Sequence, residues 1–95
     1  MMRGGGVMII RKKCWPEYFE KVLSGEKKFE VRLDNFYCGV GDVLVLEEYN
    51  PETQQYTGRT IRKKIAYIVK TKDFEFWDIS DVGKYGYQIM SLEDE

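Results

Sequence analysis

The sequence predicts an α+β fold, a small mixed β-barrel of about five strands with one main helix closing one end. Several short stretches alternate apolar and polar residues with a period of two, which is typical of strands, whereas one stretch shows the period of an amphipathic helix. The 95 residues, 43% of them hydrophobic, are enough for one domain with one core. So many short strands in so short a chain favour a closed or nearly closed barrel.

The ends of the chain differ in composition from its middle. We expect residues 1–6, with three consecutive glycines, to be a flexible leader, residues 7–92 to be the folded domain, and residues 93–95 to be an acidic tail. No apolar run approaches the roughly 20 residues that span a bilayer, and the start lacks the apolar stretch of a signal peptide. The sequence therefore predicts a cytoplasmic protein without a membrane partner. It leaves the oligomeric state open, with a monomer as the first expectation.

The first half of the chain contains the clearest helix. A first strand is predicted at 7–10, and Pro16 suits the first position of a helix that Gly25 ends in a left-handed conformation. The apolar stripe of this helix comprises Trp15, Tyr18, Phe19, Val22 and Leu23. We expect that stripe to face the core.

From Phe29 onwards the period changes to two. Phe29, Val31 and Leu33 are expected to enter the core, which leaves Glu30 and Arg32 as neighbours on the opposite face.

The second half of the chain reads mostly as strands. The pattern predicts a turn at 35–41, a strand at 43–49 that is buried on both faces at its start, a loop at 50–58, a long strand at 59–69 and a last strand at 87–92. On the long strand, Ile61, Ile65, Tyr67 and Val69 are expected to share one face. Residues 70–86 have no clean period but hold several large apolar side chains. We therefore expect this segment to leave the regular strands, to pack against the rest of the domain and to contain a short helix near 77–82.

The residue types exclude most familiar catalytic centres. The chain has no histidine, and its two cysteines, Cys14 and Cys38, lack CxxC spacing, so neither a zinc site nor any other metal or cofactor site is predicted. Reduced, partly buried thiols are the ordinary interpretation of these cysteines. Chemistry or recognition must therefore use lysine, arginine, carboxylates and aromatic rings.

Lys27, Glu30 and Arg32 are the first candidates. They fall within six residues, where the helix gives way to a strand. An arginine presents a planar fork of donors to a phosphate or a base edge, a glutamate can orient it, and a lysine can hold an anion or, if desolvated, act as a base. The alternative is a solvated strand face with a surface ion pair.

A second set of cations comes later in the chain. Arg59, Arg62, Lys63 and Lys64, together with the basic run 11–13, are candidate phosphate contacts. The alternative is that these cations lie in solvent along strand edges, where they oppose pairing with strands of other molecules. Aromatic residues that could stack on bases are Tyr37, Tyr56, Trp77, Tyr85 and Tyr87. Because the net charge is only -1, a small ligand or a short RNA is favoured over long duplex nucleic acid.

The run Gly25-x-Lys27-x-x-Glu30-x-Arg32 matches the GxKxxExR signature of the ASCH domain, a branch of the PUA-like superfamily. Residues 15–19 resemble the start of that family's helix, and residues 40–44, Val-Gly-Asp-Val-Leu, resemble its turn into the next strand. Residues 48–49 and 56–59 are similar to a small bacterial and archaeal subgroup of uncharacterised function. The resemblance covers roughly residues 14–70.

The resemblance implies a PUA-like barrel with a cleft beside the helix, in which Lys27, Glu30 and Arg32 bind RNA or a nucleotide-like ligand. One branch with this fold is an amidohydrolase that deacylates N4-acetylcytidine with a lysine, a threonine and a later glutamate. Here Glu30 occupies the threonine position, which weakens that assignment.

Two alternatives to a binding domain stay open, and whether the protein is an enzyme is undecided. The first is an amidohydrolase with Lys27 as its catalytic residue, and the second is a protein-interaction module. An enzyme needs a second carboxylate facing Lys27, and the candidates are Glu47, Glu48, Glu75 and Asp78.

Overall fold

The computed structural model describes residues 6–73, 83 and 85–95. Its elements are β1 (Ile9–Cys14), α1 (Pro16–Leu23), β2 (Phe29–Leu33), β3 (Val43–Asn50), β4 (Gln55–Lys70), a 3₁₀ turn (Thr71–Asp73) and β5 (Tyr87–Asp94). The strands form one sheet in the order β1-β3-β4-β5-β2, in which β1 runs parallel to β3 and the other pairs are antiparallel. This sheet curls into a half-barrel, which confirms an α+β, barrel-like architecture of five mixed strands and one helix.

The half-barrel is open between its two edge strands, β1 and β2, and we call this gap the seam. Helix α1 links the end of one edge strand to the start of the other. The helix begins at Pro16 and ends at Leu23 with Ser24 as its C-cap, after which Gly25 has a φ of 86°, as predicted. Only Phe19 and Val22 of its apolar stripe are buried. The remaining members, Trp15, Tyr18 and Leu23, are about half exposed. Only part of the apolar stripe therefore enters the core.

Strand β2 begins at Phe29, where the sequence predicts the change of period, but it has the opposite orientation. Glu30 is buried, with 3% of its surface exposed, whereas Phe29, Val31 and Leu33 are 47–51% exposed. In the register with β5, Glu30 lies opposite Met90, which is also fully buried. The prediction failed because an edge strand turns its inner face towards the seam, where a carboxylate can be buried if cations satisfy it.

A β-bulge changes the faces of strand β4. Ile65 lies opposite Leu92 and Tyr67 lies opposite Ser91, so the residue between them is extra and the alternation shifts by one. Ile65 is buried, but Tyr67 is 63% exposed, and Ile68 packs against the core instead. The prediction that Ile65, Tyr67 and Val69 share one face is therefore wrong beyond the bulge.

Several strand boundaries differ from the sequence pattern. The first strand starts at Ile9 and includes the basic run, because it pairs in parallel with β3 as far as Cys14. Strand β4 begins at Gln55, within the expected loop, and Gly58 has a φ of 93° at an irregularity in its pairing with β3. Strand β5 continues to Asp94, into the expected acidic tail. The expected short helix near 77–82 lies outside the described residues.

The core fills the concave side of the sheet beneath α1. Its buried members are Ile10, Cys14, Phe19, Val22, Cys38, Leu44, Leu46, Ile65, Met90 and Leu92. At the turn before β3, the buried carboxylate of Asp42 accepts hydrogen bonds from the backbone N–H groups of Met8 and Gly39, at 2.9 and 2.7 Å. This carboxylate ties the start of β1 to the turn. Among the helices of the described residues, none combines the length and apolar character required to cross a membrane.

Candidate ligand-binding cleft

A cleft of about 700 Å³ opens at the seam, between the end of β1, helix α1 and strand β2. Its volume is within the range of small-molecule sites in proteins. Its lining residues are Lys13, Cys14, Trp15, Tyr18, Lys21, Glu26, Lys27, Phe29, Glu30, Val31 and Arg32. We call it the main cleft. It contains the three charged residues of the GxKxxExR run, Lys27, Glu30 and Arg32.

Lys27, Glu30 and Arg32 form an ion triad on the inner side of β2. The Lys27 ammonium donates to Oε1 of Glu30 at 2.9 Å, and the Arg32 guanidinium donates from Nε to Oε2 at 2.7 Å. The side chains of Lys27 and Arg32 retain 20% and 26% of their exposure, whereas that of Glu30 retains 4%. The carboxylate is thus nearly buried, and both cations remain accessible from the cleft.

Backbone contacts fix both cations in place. Lys27 precedes the first residue of β2, its backbone N–H donates to the carbonyl of Lys21 at 2.9 Å, and its ammonium also donates to the carbonyl of Phe29 at 3.0 Å. Arg32 crosses the seam, because its terminal nitrogen Nη2 donates to the carbonyl of Lys13 on β1 at 2.7 Å. A single side chain therefore links the two edge strands.

Aromatic rings form the walls of the main cleft. Trp15, Tyr18 and Phe29 line it and are each about half exposed. Half-exposed rings near cations can stack on planar ligands such as nucleobases. Sequence reasoning placed these rings in the core, because their helical and strand periods match those of buried positions.

Cys14 contributes a buried thiol to the same cleft. Burial raises the pKa of this thiol, and the nearby Glu30 carboxylate raises it further. A neutral thiol is a poor nucleophile. Burial also raises the pKa of the Cys38 thiol, which donates to Oε1 of Gln88 at 3.1 Å. Both cysteines are free, and the described residues contain no cluster of side chains suited to a metal ion.

A smaller cleft of about 390 Å³ lies on the other side of Arg32, and we call it the side cleft. Val31 and Arg32 line both clefts. The ammonium of Lys12 lies 3.6 Å from the centroid of the Phe36 ring at the side cleft. The sequence named the basic run 11–13 as candidate phosphate contacts, but the pairing of β1 in the sheet was needed to place Lys12 at the seam.

The β4 cations, Arg59, Arg62, Lys63 and Lys64, lie elsewhere. Three of them face carboxylates at the chain end: Arg62 binds Glu95, Lys63 lies 2.8 Å from Asp94, and Lys64 lies 4.0 Å from Glu93. Hydrogen bonds from these partners lower the pKa values of Asp94 and Glu95. The sequence predicted these cations as phosphate contacts, but they already have carboxylates as neighbours.

Arg59 forms a separate cluster that the sequence did not reveal, in which the Glu48 carboxylate is buried and the side chains of Arg59 and Glu20 are about half exposed. Its Nε and Nη2 atoms donate to the two carboxylate oxygens of Glu48, each at 2.9 Å. Its guanidinium also contacts Glu20 of α1 and lies 4.7 Å from the centroid of the Phe19 ring. Hydrogen bonds from Arg59 and from the hydroxyl of Thr57 lower the pKa of Glu48 to about 2. This cluster fastens the helix to the β3–β4 hairpin.

No second carboxylate contacts Lys27 in the part of the chain that the structure describes. Glu47 lies 3.7 Å from Arg11, and Glu48 is occupied by Arg59. The other two candidates, Glu75 and Asp78, lie outside the described residues.

A family model described as a domain of unknown function (DUF3850) matches residues 11–92. No curated protein matches the chain.

Proposed function

Because the chain belongs to the DUF3850 family of domains of unknown function, we propose its activity from its own residues: it binds RNA or a nucleotide-like ligand in the main cleft. Lys27 and Arg32 bind the anionic or base-edge groups of the ligand. Glu30 holds both cations in position.

The observation that carries this proposal is the ion triad on the wall of a ring-lined cleft. Glu30 accepts from Lys27 through one oxygen and from Arg32 through the other, so both cations are held before a ligand arrives. Such preorganisation reduces the conformational entropy that binding costs. Each cation keeps donors for an anion, since Arg32 has five N–H groups and Lys27 has three.

The charge of the main cleft also favours an anionic ligand. Four cations line it, namely Lys13, Lys21, Lys27 and Arg32, against the two carboxylates of Glu26 and Glu30. With half-exposed rings on its walls, the cleft offers both components of single-strand recognition, cations for phosphates and aromatic faces for bases. The resemblance of the triad to the ASCH signature supports the same function.

An amidohydrolase is the weaker alternative. Lys27 donates to Glu30 and to the carbonyl of Phe29, so its ammonium serves as a hydrogen-bond donor and not as a base. Glu47 and Glu48 have arginine partners of their own. A binding function uses the triad as it stands, whereas hydrolysis requires a general base in addition.

The test is a titration of a labelled short single-stranded RNA, followed by fluorescence anisotropy at about 50 and about 200 mM salt. We expect binding that weakens with salt, with a slope in log affinity of roughly -0.7 for each phosphate contact. Arg32→Ala should weaken binding about tenfold or more, since it removes a charged hydrogen-bond donor. Arg62→Ala is the matched control and should change the affinity less than about twofold, because Arg62 already binds Glu95. Absence of binding at the lower salt, or equal losses in the two variants, would contradict the proposal.

A further inference from the structure

The two clefts at the seam are neighbours that share Val31 and Arg32 in their linings. Arg32 lines both of them, and its hydrogen bond to the carbonyl of Lys13 crosses the seam. Its contacts within the described residues use Nε and Nη2, and the other terminal nitrogen, Nη1, has no partner there. An anionic group lying over the boundary would therefore meet N–H donors that are still available.

The side cleft has the same chemical character as the main cleft. Lys12 supplies a cation, and its contact in the described residues is with the Phe36 ring. Tyr87 adds a ring that is 46% exposed. A cation beside aromatic faces is the combination that binds one nucleotide of a single strand, through its phosphate and its base.

Resting on the proposed function, we propose that the side cleft is a second nucleotide subsite, so that the protein recognises a single strand of at least two nucleotides. One base lies in the main cleft and the next lies in the side cleft against Tyr87. The phosphodiester between them lies over Arg32. A free mononucleotide fills only half of this site.

The same arrangement selects single strands over duplexes. Separate clefts on the two sides of Arg32 receive bases only if these are unstacked and splayed apart, as in RNA loops and ends. A duplex keeps its bases paired and offers its backbone instead, which requires an extended cationic surface. The β4 cations do not supply one, since Arg62, Lys63 and Lys64 face the carboxylates of residues 93–95.

The experiment compares adenosine 5′-monophosphate with the dinucleotide pApA by isothermal titration calorimetry on the full chain. We expect pApA to bind the unmutated protein about tenfold or more tightly than the mononucleotide, because the second base and phosphate occupy the side cleft. Lys12→Met keeps the apolar stem on Phe36 and removes the charge. It should reduce the advantage of pApA to less than about threefold and leave mononucleotide affinity unchanged. Lys64→Met is the matched control and should change neither affinity.

The outcomes separate this inference from the proposed function. Equal affinities for the mononucleotide and pApA in the unmutated protein would overturn the second subsite and leave the main cleft as a mononucleotide site. An equal loss for both ligands in Lys12→Met would also overturn it, because Lys12 would then act on the whole cleft. If neither ligand binds, the proposed function fails and the second subsite fails with it.

Discussion

Two sets of basic side chains lie in different electrostatic settings in this molecule. The β4 cations have close carboxylate partners, from β3 and α1 for Arg59 and from residues 93–95 for the other three. At the seam, Lys27 and Arg32 share the single carboxylate of Glu30. Lys12 and Lys13 contact aromatic rings, and no carboxylate contacts them in the described part of the chain.

The difference shows that a cluster of lysine and arginine in a sequence does not define a cationic surface. Run 62–64 is as basic as run 11–13, yet the antiparallel register with β5 brings three acidic residues alongside it. An RNA phosphate at β4 would have to displace carboxylates, whereas at the seam it would meet cations that have donors to spare. Four predictions test this contrast.

The largest expected effect is on stability, from removal of the Glu30 carboxylate. Glu30→Ala leaves Lys27 and Arg32 partly buried without an anion, and loss of one partner from a buried ion pair is strongly destabilising. Because both cations keep some exposure, we expect a loss of about 2–3 kcal/mol in the free energy of unfolding, measured in urea. Glu95→Ala, the matched change at β4, should have little effect, since that pair is exposed. Equal losses would show that the two sets do not differ.

The second prediction concerns the pH dependence of stability at the Arg59 cluster. The folded pKa of Glu48 is about 2, below its ordinary value, so its stabilising contribution is present above that ordinary value and is lost as the pH falls through the folded pKa. Glu48→Gln should therefore flatten the decline of the urea midpoint between about pH 5 and about pH 3.

Glu52→Gln is the control for this effect, since Glu52 lies exposed in the β3–β4 turn. It should leave the decline unchanged. An acid profile of Glu48→Gln that matches that of the unmutated protein would show that the carboxylate contributes no acid-sensitive stability.

The third prediction tests whether the acidic chain end conceals the β4 cations. Neutralising Glu93, Asp94 and Glu95 as Gln, Asn and Gln should raise the affinity for short single-stranded RNA about tenfold at low salt. The salt slope should steepen by up to roughly 2, since three cations become available. Anisotropy titrations would measure both quantities. If the affinity stays the same, the carboxylates do not mask these cations.

The smallest expected effect is on N4-acetylcytidine. Lys27 is engaged as a donor to Glu30, so we expect little or no conversion of this nucleoside to cytidine by the unmutated protein. Chromatography after incubation measures the conversion, with Lys27→Ala as the background. Rapid conversion that Lys27→Ala abolishes would make the amidohydrolase the leading interpretation.

Local signals in the sequence were sufficient for part of the fold and of the site. The helix bounds follow from Pro16 and Gly25, whose backbone preferences act within a few residues. The spacing of Lys27, Glu30 and Arg32 around the start of β2 was enough to place them together. These features depend on neighbours in the chain.

The features that the sequence did not predict depend on distant residues. Alternation in β2 was read with its apolar side inward, but burial of Glu30 is decided by cations and by the position of β2 at the sheet edge. The bulge after Ile65 and the pairing of Arg59 with Glu48 arise from strand register. Register is a long-range property, and a shift of one residue exchanges the two faces of a strand.

The open seam also affects how copies of the protein meet one another. Each edge strand carries backbone N–H and C=O groups that a strand from another molecule could pair with, which is a common route to aggregation. Strand β1 carries the basic run 11–13, and β2 carries inward-facing Glu30 and Arg32. Lysines and inward charges on edge strands oppose such pairing. The side chains that form the candidate binding site thus also protect the sheet from polymerising through its edges.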